Sequence, residues 1–226
     1  MDFKLLSRIR KLTEGFDAEV PGGDPRDVTL SQQLELLIAQ GAAQYSEVVR
    51  PGRAFWSGTT AAIAAVVAVP TTAVMYAVFN NEPDGGRSII VDWVAAQNVV
   101  STAVAAQAQI LGLVGQVREA APTDAGTGVK KMNGLGGGAV DLNARFILNA
   151  TALPATTGVA ANWFPIGQNG VKAGAAATPG YGMYQRVDGG IIVAPGRYFA
   201  LHVLANVVGE TFVVFMGFHT KQLLLG

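Results

Sequence analysis

No cysteine occurs in the 226 residues, which excludes a disulfide framework and a thiolate zinc site. Histidine is almost missing too. With only His202 and His219, and carboxylates in ordinary number, little material exists for an imidazole metal centre, so no metal and no cofactor are expected. Charge is scarce at 14% and balanced, 16 Lys+Arg against 16 Asp+Glu. Without a basic excess the chain cannot hold a phosphate backbone through counterion release, so no direct nucleic-acid partner is expected. Low charge beside 50% hydrophobic residues also excludes a disordered polar chain and a charge-laced coiled coil.

What charge there is lies unevenly. Residues 1–50 hold 14 of the 32 charged side chains, and the other 176 residues hold 18. The first residues mix Asp2, Lys4, Arg8, Arg10 and Lys11 with Phe3, Leu5, Leu6 and Ile9. This amphipathic start lacks the apolar core and cleavage site of a secretory signal. Pro21-Gly22-Gly23-Asp24-Pro25 supports neither helix nor sheet ladder and reads as a linker. Thr29-Leu30-Ser31-Gln32 has capping-box spacing, and Leu30, Leu34, Leu37 and Ile38 form an apolar stripe that runs until Gly41. Residues 1–50 are therefore expected to be an N-terminal arm, part extended and part helical, whose helix packs on the body of the protein or on another subunit.

From Pro51 onward, turn signals recur every 8–15 residues, among them Pro83-Asp84-Gly85-Gly86, Asp188-Gly189-Gly190 and Pro195-Gly196. Runs of Val, Ile, Thr, Phe and Tyr lie between them. This spacing predicts an all-β domain over 51–226, an antiparallel jelly-roll-like β-sandwich of eight to ten strands. Arg197 to Val208 and Thr211 to Leu223, joined at Gly209-Glu210, should pair as a hairpin. In the first of these, Phe199, Leu201, Val203 and Ala205 share one face and Tyr198, Ala200, His202 and Leu204 the other. Neither face is polar. In Thr72 to Asn80, Val74, Tyr76 and Val78 likewise alternate with Ala73, Met75, Ala77 and Phe79.

A sandwich sheet normally wets one face. Strands apolar on both sides therefore imply a second cover, from another chain or from the N-terminal segment, and Val74, Tyr76, Val78, Tyr198 and His202 are the candidate contacts with another copy of the chain. Ala61 to Phe79 and Val94 to Val117 are free of charge and long enough to span a bilayer. However, Pro70-Thr71-Thr72 interrupts the first, and Gln97, Asn98, Gln107 and Gln109 burden the second, so no membrane association is expected. Thr102 to Arg118 has helical composition, yet a strand with Gln107 and Gln109 outward is preferred.

Several segments imitate catalytic motifs. Gly134-Leu135-Gly136-Gly137-Gly138-Ala139 fits a loose dinucleotide pattern, but no buried strand precedes it and no acidic residue follows at ribose distance, so it reads as a loop. Asp124-Ala125-Gly126-Thr127-Gly128 resembles an aspartic-protease turn without the second copy that a dyad needs. His202 and His219 could approach each other across the terminal hairpin, but two ligands do not make a metal site. Asp92 is a lone carboxylate in an apolar strand, with Arg87 or another subunit's arginine as expected partner. With no acid–base pair in view, no enzyme activity is expected.

The run Gln44-Tyr45-Ser46-Glu47-Val48-Val49-Arg50-Pro51-Gly52-Arg53-Ala54-Phe55-Trp56-Ser57-Gly58, with Gly190-Ile191-Ile192-Val193-Ala194-Pro195-Gly196-Arg197-Tyr198 near the end, resembles jelly-roll structural proteins of tailed bacteriophage particles. The resemblance covers about residues 44–226 and lies in alanine-rich strands, glycine-rich loops and the apolar last strands. It implies a virion location, a capsid, decoration, collar or fibre role, and a symmetric homo-oligomer, commonly a trimer. Residues 1–50 would then tether it to other virion proteins. The alternative is a ligand- or glycan-binding sandwich module, for which Trp163, Tyr181 and Tyr184, beside Asn162, Gln168, Asn169 and Gln185, are the candidate loop cluster.

Overall fold

A computed structural model describes residue 49 and residues 52–101, 104–124, 129–133, 142–148, 152–172 and 181–223. The arm helix with Leu30, Leu34, Leu37 and Ile38 lies outside the described residues, as does the glycine run from Gly134. The described chain is all-β: two antiparallel sheets packed as a sandwich. Strands β1 (Ala54–Gly58), β2 (Ile63–Ala64), β3 (Tyr76–Asn80), β4 (Arg87–Val100), β5 (Ala106–Val114) and β6 (Lys130–Lys131) follow in chain order. Then come β7 (Ala144–Leu148), β8 (Trp163–Lys172), β9 (Gly182–Val193), β10 (Tyr198–Ala205) and β11 (Thr211–Gln222). One sheet has the order β6-β1-β11-β4-β9, with β2 also on β11, and the other has the order β7-β3-β10-β5-β8.

The period-2 alternation of these strands puts one set of side chains between the sheets. Phe55, Val91, Val94, Phe212, Val214, Met216 and Phe218 from the first sheet meet Tyr76, Val78, Ile110, Phe146, Phe199, Leu201 and Val203 from the second. The rings of Phe146 and Phe218 meet across the two sheets with centroids 6.4 Å apart. Asn80 fastens one end of the sandwich: from β3 its Nδ2 donates to the carbonyls of Arg87 and Val193 in the other sheet, both at 2.9 Å.

Three expectations are corrected. The terminal strands β10 and β11 do not pair. The turn after Ala205 crosses from one sheet to the other, so β10 lies between β3 and β5 while β11 lies between β1 and β4. Two strands with an apolar inner face serve the core better from opposite sides of it than side by side in one sheet. His202 and His219 are consequently in different sheets, and the partner of Asp92 is His219, whose Nδ1 lies 2.8 Å from Oδ1. Lastly, Val74 does not share a face with Tyr76 and Val78, because the regular alternation begins only at Tyr76.

The stretch 102–118 contains strand β5, with Gln107 exposed and Gln109 half-buried. Among the described residues no helix is long and apolar enough to cross a membrane.

Candidate functional site

The second apolar face of the β3-β10-β5 region is covered by the chain itself. Val74, Ala77, Phe79, Leu111, Leu113, Ile147, Leu153, Trp163, Tyr198 and Ala200 form a separate buried layer outside the five-stranded sheet. Leu153 comes from the connection between β7 and β8, and its N–H donates to the Thr72 carbonyl at 2.9 Å. Phe79 and Tyr198 face each other with ring centroids 4.8 Å apart. The Tyr198 hydroxyl reaches the Ala120 carbonyl at 3.4 Å, and burial, followed by the charge of Glu119, pushes its pKa up to about 12.

All five candidate contact residues are therefore interior in one chain: Val74, Tyr76, Val78, Tyr198 and His202 are at most 3% exposed. Their apolarity is satisfied by two stacked layers, one on each side of the five-stranded sheet, and demands no further subunit there. His202 lies in the outer layer beside the Trp163 ring, edge-on at 6.3 Å. Burial lowers its pKa, partly offset by its bond to the Val203 backbone.

The loop-cluster residues are not brought together. Trp163 is buried, its indole N–H donating to the Thr71 carbonyl at 3.1 Å. Tyr181 is half-buried against Phe212, ring centroids 5.6 Å apart. Only Tyr184 is well exposed, at 61%, and its neighbour is Trp93, at 5.8 Å. Asp124, in the protease-like turn, accepts the Phe146 N–H at 2.9 Å and so holds the middle of β7. Among the described residues no three His, Asp or Glu side chains converge as a metal site would require.

Two other features have the makings of sites. The first is an aromatic strip on the outer face of the six-stranded sheet. Trp56 on β1 and Phe215 on β11 are 6.5 Å apart, and Trp93 on β4 continues the strip to Tyr184 on β9. Glycines let these rings lie flat on the sheet. A Cβ at Gly217 would fall 2.0 Å from the Trp93 indole nitrogen, and one at Gly58 would fall 2.4 Å from the Phe215 ring. Sequence reasoning missed the strip because Trp56, Trp93, Tyr184 and Phe215 come from four strands. The available signal was the register of Trp56 and Trp93 with Gly217 between them.

The second is a buried polar cluster at the end of the sandwich opposite Asn80. Glu210 is fully buried. Its Oε2 accepts from Asn98 Nδ2 at 2.7 Å and its Oε1 from Ser101 Oγ at 3.1 Å. Lys172 Nζ donates to Ser101 Oγ at 2.5 Å and lies 3.9 Å from Glu210 Oε1. Tyr181 Oη approaches Glu210 Oε2 at 3.4 Å, and burial, then the Glu210 charge and this bond, push the phenol up to about 12.

Compared with models of known protein families and with curated protein sequences, the chain matches none.

Proposed function

We propose that the sandwich is a jelly roll and that the chain is a non-enzymatic structural component of a virus particle, a capsid, decoration, collar or fibre protein. In this reading it self-assembles through its β domain and attaches to other virion proteins through residues 1–50, with no cofactor, membrane or nucleic-acid partner. One observation carries it: four antiparallel pairs nest inside one another, β5 with β8, β4 with β9, β3 with β10 and β1 with β11. That is the pairing of a single long hairpin bent at the β5–β8 connection. Rolling such a hairpin sets β11 beside β4 and β10 beside β5, as found, while β2, β6 and β7 lie outside the roll, on β11, β1 and β3. Eight-stranded rolls of this kind are the architecture of viral capsid domains and of lectins.

Self-assembly draws support from the way charge is arranged over the sandwich. At the end formed by the β4–β5 and β10–β11 turns, Val67, Val100, Val104, Val171 and Val208 are each about half exposed or more. The two charged residues there among those described, Lys172 and Glu210, are buried. The opposite end carries Glu82, Asp84, Arg87, Arg118, Glu119 and Arg197, including an Arg118–Asp84 ion pair. A charge-free end with exposed valines is the kind of surface that association covers, and a closed symmetric oligomer such as a trimer covers it without growing into fibres. Light scattering of the full chain at micromolar concentration, with electron-microscope images of the same sample, tests this. A closed symmetric particle is expected, and a monodisperse monomer would overturn self-assembly.

The aromatic strip favours a second reading, a glycan-binding module, because flat exposed rings stack on the apolar faces of sugars. A glycan array separates the two. Binding by a monomeric wild-type chain that Tyr184→Ala abolishes would put the module reading in place of the virion one.

A further inference from the structure

The buried cluster at the valine-rich end contains an amine, a carboxylate and a carboxamide, and these are the parts needed to make an amide bond. Asn98 points inward from β4 in one sheet, in line with Val94 and Ala96. Lys172 is the last residue of β8 in the other sheet, where its register partner is the inward-facing Ala106. Packed sheets lie about 10 Å apart, a gap that a lysine and an asparagine side chain together can bridge. Glu210 stands between the two. One of its oxygens accepts the Asn98 Nδ2–H at 2.7 Å, and the other lies 3.9 Å from Lys172 Nζ, with Ser101 Oγ accepting from Nζ and donating to that oxygen.

All three side chains are at most 9% exposed, so water is kept from competing as a nucleophile or as a proton donor. Asn98 Oδ1 is buried without a hydrogen-bond partner. A carboxamide placed merely to complete a polar network would not leave its oxygen idle, and such a group calls for an explanation.

We infer that Lys172 and Asn98 become joined by an amide cross-link between the two sheets, with Glu210 as the group that moves the proton. In the low-dielectric cluster Glu210 takes a proton from the Lys172 ammonium, leaving a neutral amine. Nζ attacks Asn98 Cγ, the protonated carboxyl delivers its proton to Nδ2 as the Cγ–Nδ2 bond breaks, and the second proton that Nζ sheds on becoming an amide nitrogen passes through the Glu210 carboxylate to the released ammonia. The Lys172 ammonium and the Asn98 carboxamide give one secondary amide plus one ammonium ion, and no oxidant or cofactor enters. In a chain without cysteine, such a bond would be a covalent tie between sheets independent of redox conditions. The inference concerns the folded sandwich alone and stands whether or not the chain belongs to a virion.

Intact mass spectrometry of the purified full chain tests it. The expected mass is lower than that of the sequence by one ammonia. Trypsin should fail to cut after Lys172, and a branched peptide should join the segments around residues 98 and 172. Lys172→Met and Asn98→Ala should each restore the sequence mass, and Glu210→Gln should leave the bond unmade in a chain that still folds. Unchanged wild-type mass after prolonged incubation would overturn the inference. So would loss of water, which places the bond on Glu210, or loss of ammonia without a branched peptide, which is a succinimide at Asn98. Equal cross-linking in Glu210→Gln would overturn the role given to Glu210.

Discussion

Replacing Phe79 with alanine tests whether the outer apolar layer belongs to the fold of one chain. Phe79 is 2% exposed and lies in the layer outside the five-stranded sheet, against Tyr198 at 4.8 Å. Removing a buried phenylalanine ring costs about 3–5 kcal/mol, and the lost ring pair, about 0.5–1.5 kcal/mol of that kind of contact, places this site toward the upper half. A loss of about 4 kcal/mol is a large part of the roughly 5–15 kcal/mol that holds a domain folded. With a urea slope of about 3 kcal/mol per molar, the unfolding midpoint should fall by about 1.3 M. The assay is urea titration followed by tryptophan fluorescence, at two protein concentrations a hundredfold apart. A layer roofed by its own chain gives the same drop at both, whereas a layer covered by another subunit gives midpoints that rise with concentration. A drop below about 1 kcal/mol, outside the range for a buried ring, or a drop that depends on concentration, would refute the two-layer reasoning.

Asn80→Ala removes the donor shared by the Arg87 and Val193 carbonyls and should cost about 2–6 kcal/mol by urea titration, since a buried unmet group costs about 1–3 kcal/mol each. Gly217→Ala puts a methyl where the Trp93 indole rests and should cost about 1–3 kcal/mol while shifting the tryptophan emission. His202 has a folded pKa below its ordinary 6.5 because burial disfavours the charged ring. The unfolded chain therefore takes up this proton first as pH falls through the ordinary value, so stability is full above it, declines below it, and levels off under the folded pKa. Unfolding midpoints between pH 7.5 and 5 should slope less in His202→Gln, and parallel slopes would refute this. Tyr181 and Tyr198, each pushed up to about 12, should ionise late in an ultraviolet titration of the folded chain, and stability should fall above pH 10 as the unfolded phenols release their protons first.

The strand content was legible because it rests on a local signal. The alternation of Phe199, Leu201, Val203 and Ala205 against Tyr198, Ala200, His202 and Leu204 is visible in eight consecutive residues, and the structure keeps that division. Pairing is a different kind of information. The Gly209-Glu210 turn carries the marks of a hairpin, yet the same marks suit a turn that lifts the chain from one sheet to the other, and only the non-local partners β3, β5, β1 and β4 decide between them. The two-faced apolarity of β3 and β10 is visible in the sequence, but the cover over the outer face is not: Leu153, between β7 and β8, cannot be distinguished by pattern from any loop leucine.

Asp92 and Glu210 mark the limit of what composition can tell about chemistry. Both are lone carboxylates in apolar surroundings, and in both the sequence shows the cost of burial without showing what offsets it. Asp92 sits at the β-bulge of β4, where the register shift against Gly217 and Phe218 adds one residue, and its carboxylate reaches His219. Glu210, at the Gly209-Glu210 joint, is fully buried, because the turn it occupies closes the end of the sandwich rather than projecting from it. A charge buried in that way fixes its neighbours: Asn98, Ser101, Lys172 and Tyr181 are gathered from three separate segments by one carboxylate. In an Asn98→Ala background, where no cross-link forms and Lys172 keeps its charge, replacing Glu210 with leucine should therefore destabilise the chain by more than the loss of one hydrogen bond, about 3–5 kcal/mol for a broken buried pair, since the Lys172 charge would be left buried beside the Ser101 hydroxyl without its carboxylate. Glu210→Leu together with Lys172→Met should recover most of that loss in urea titration. Failure of the pair to recover would mean that the two charges do not compensate each other.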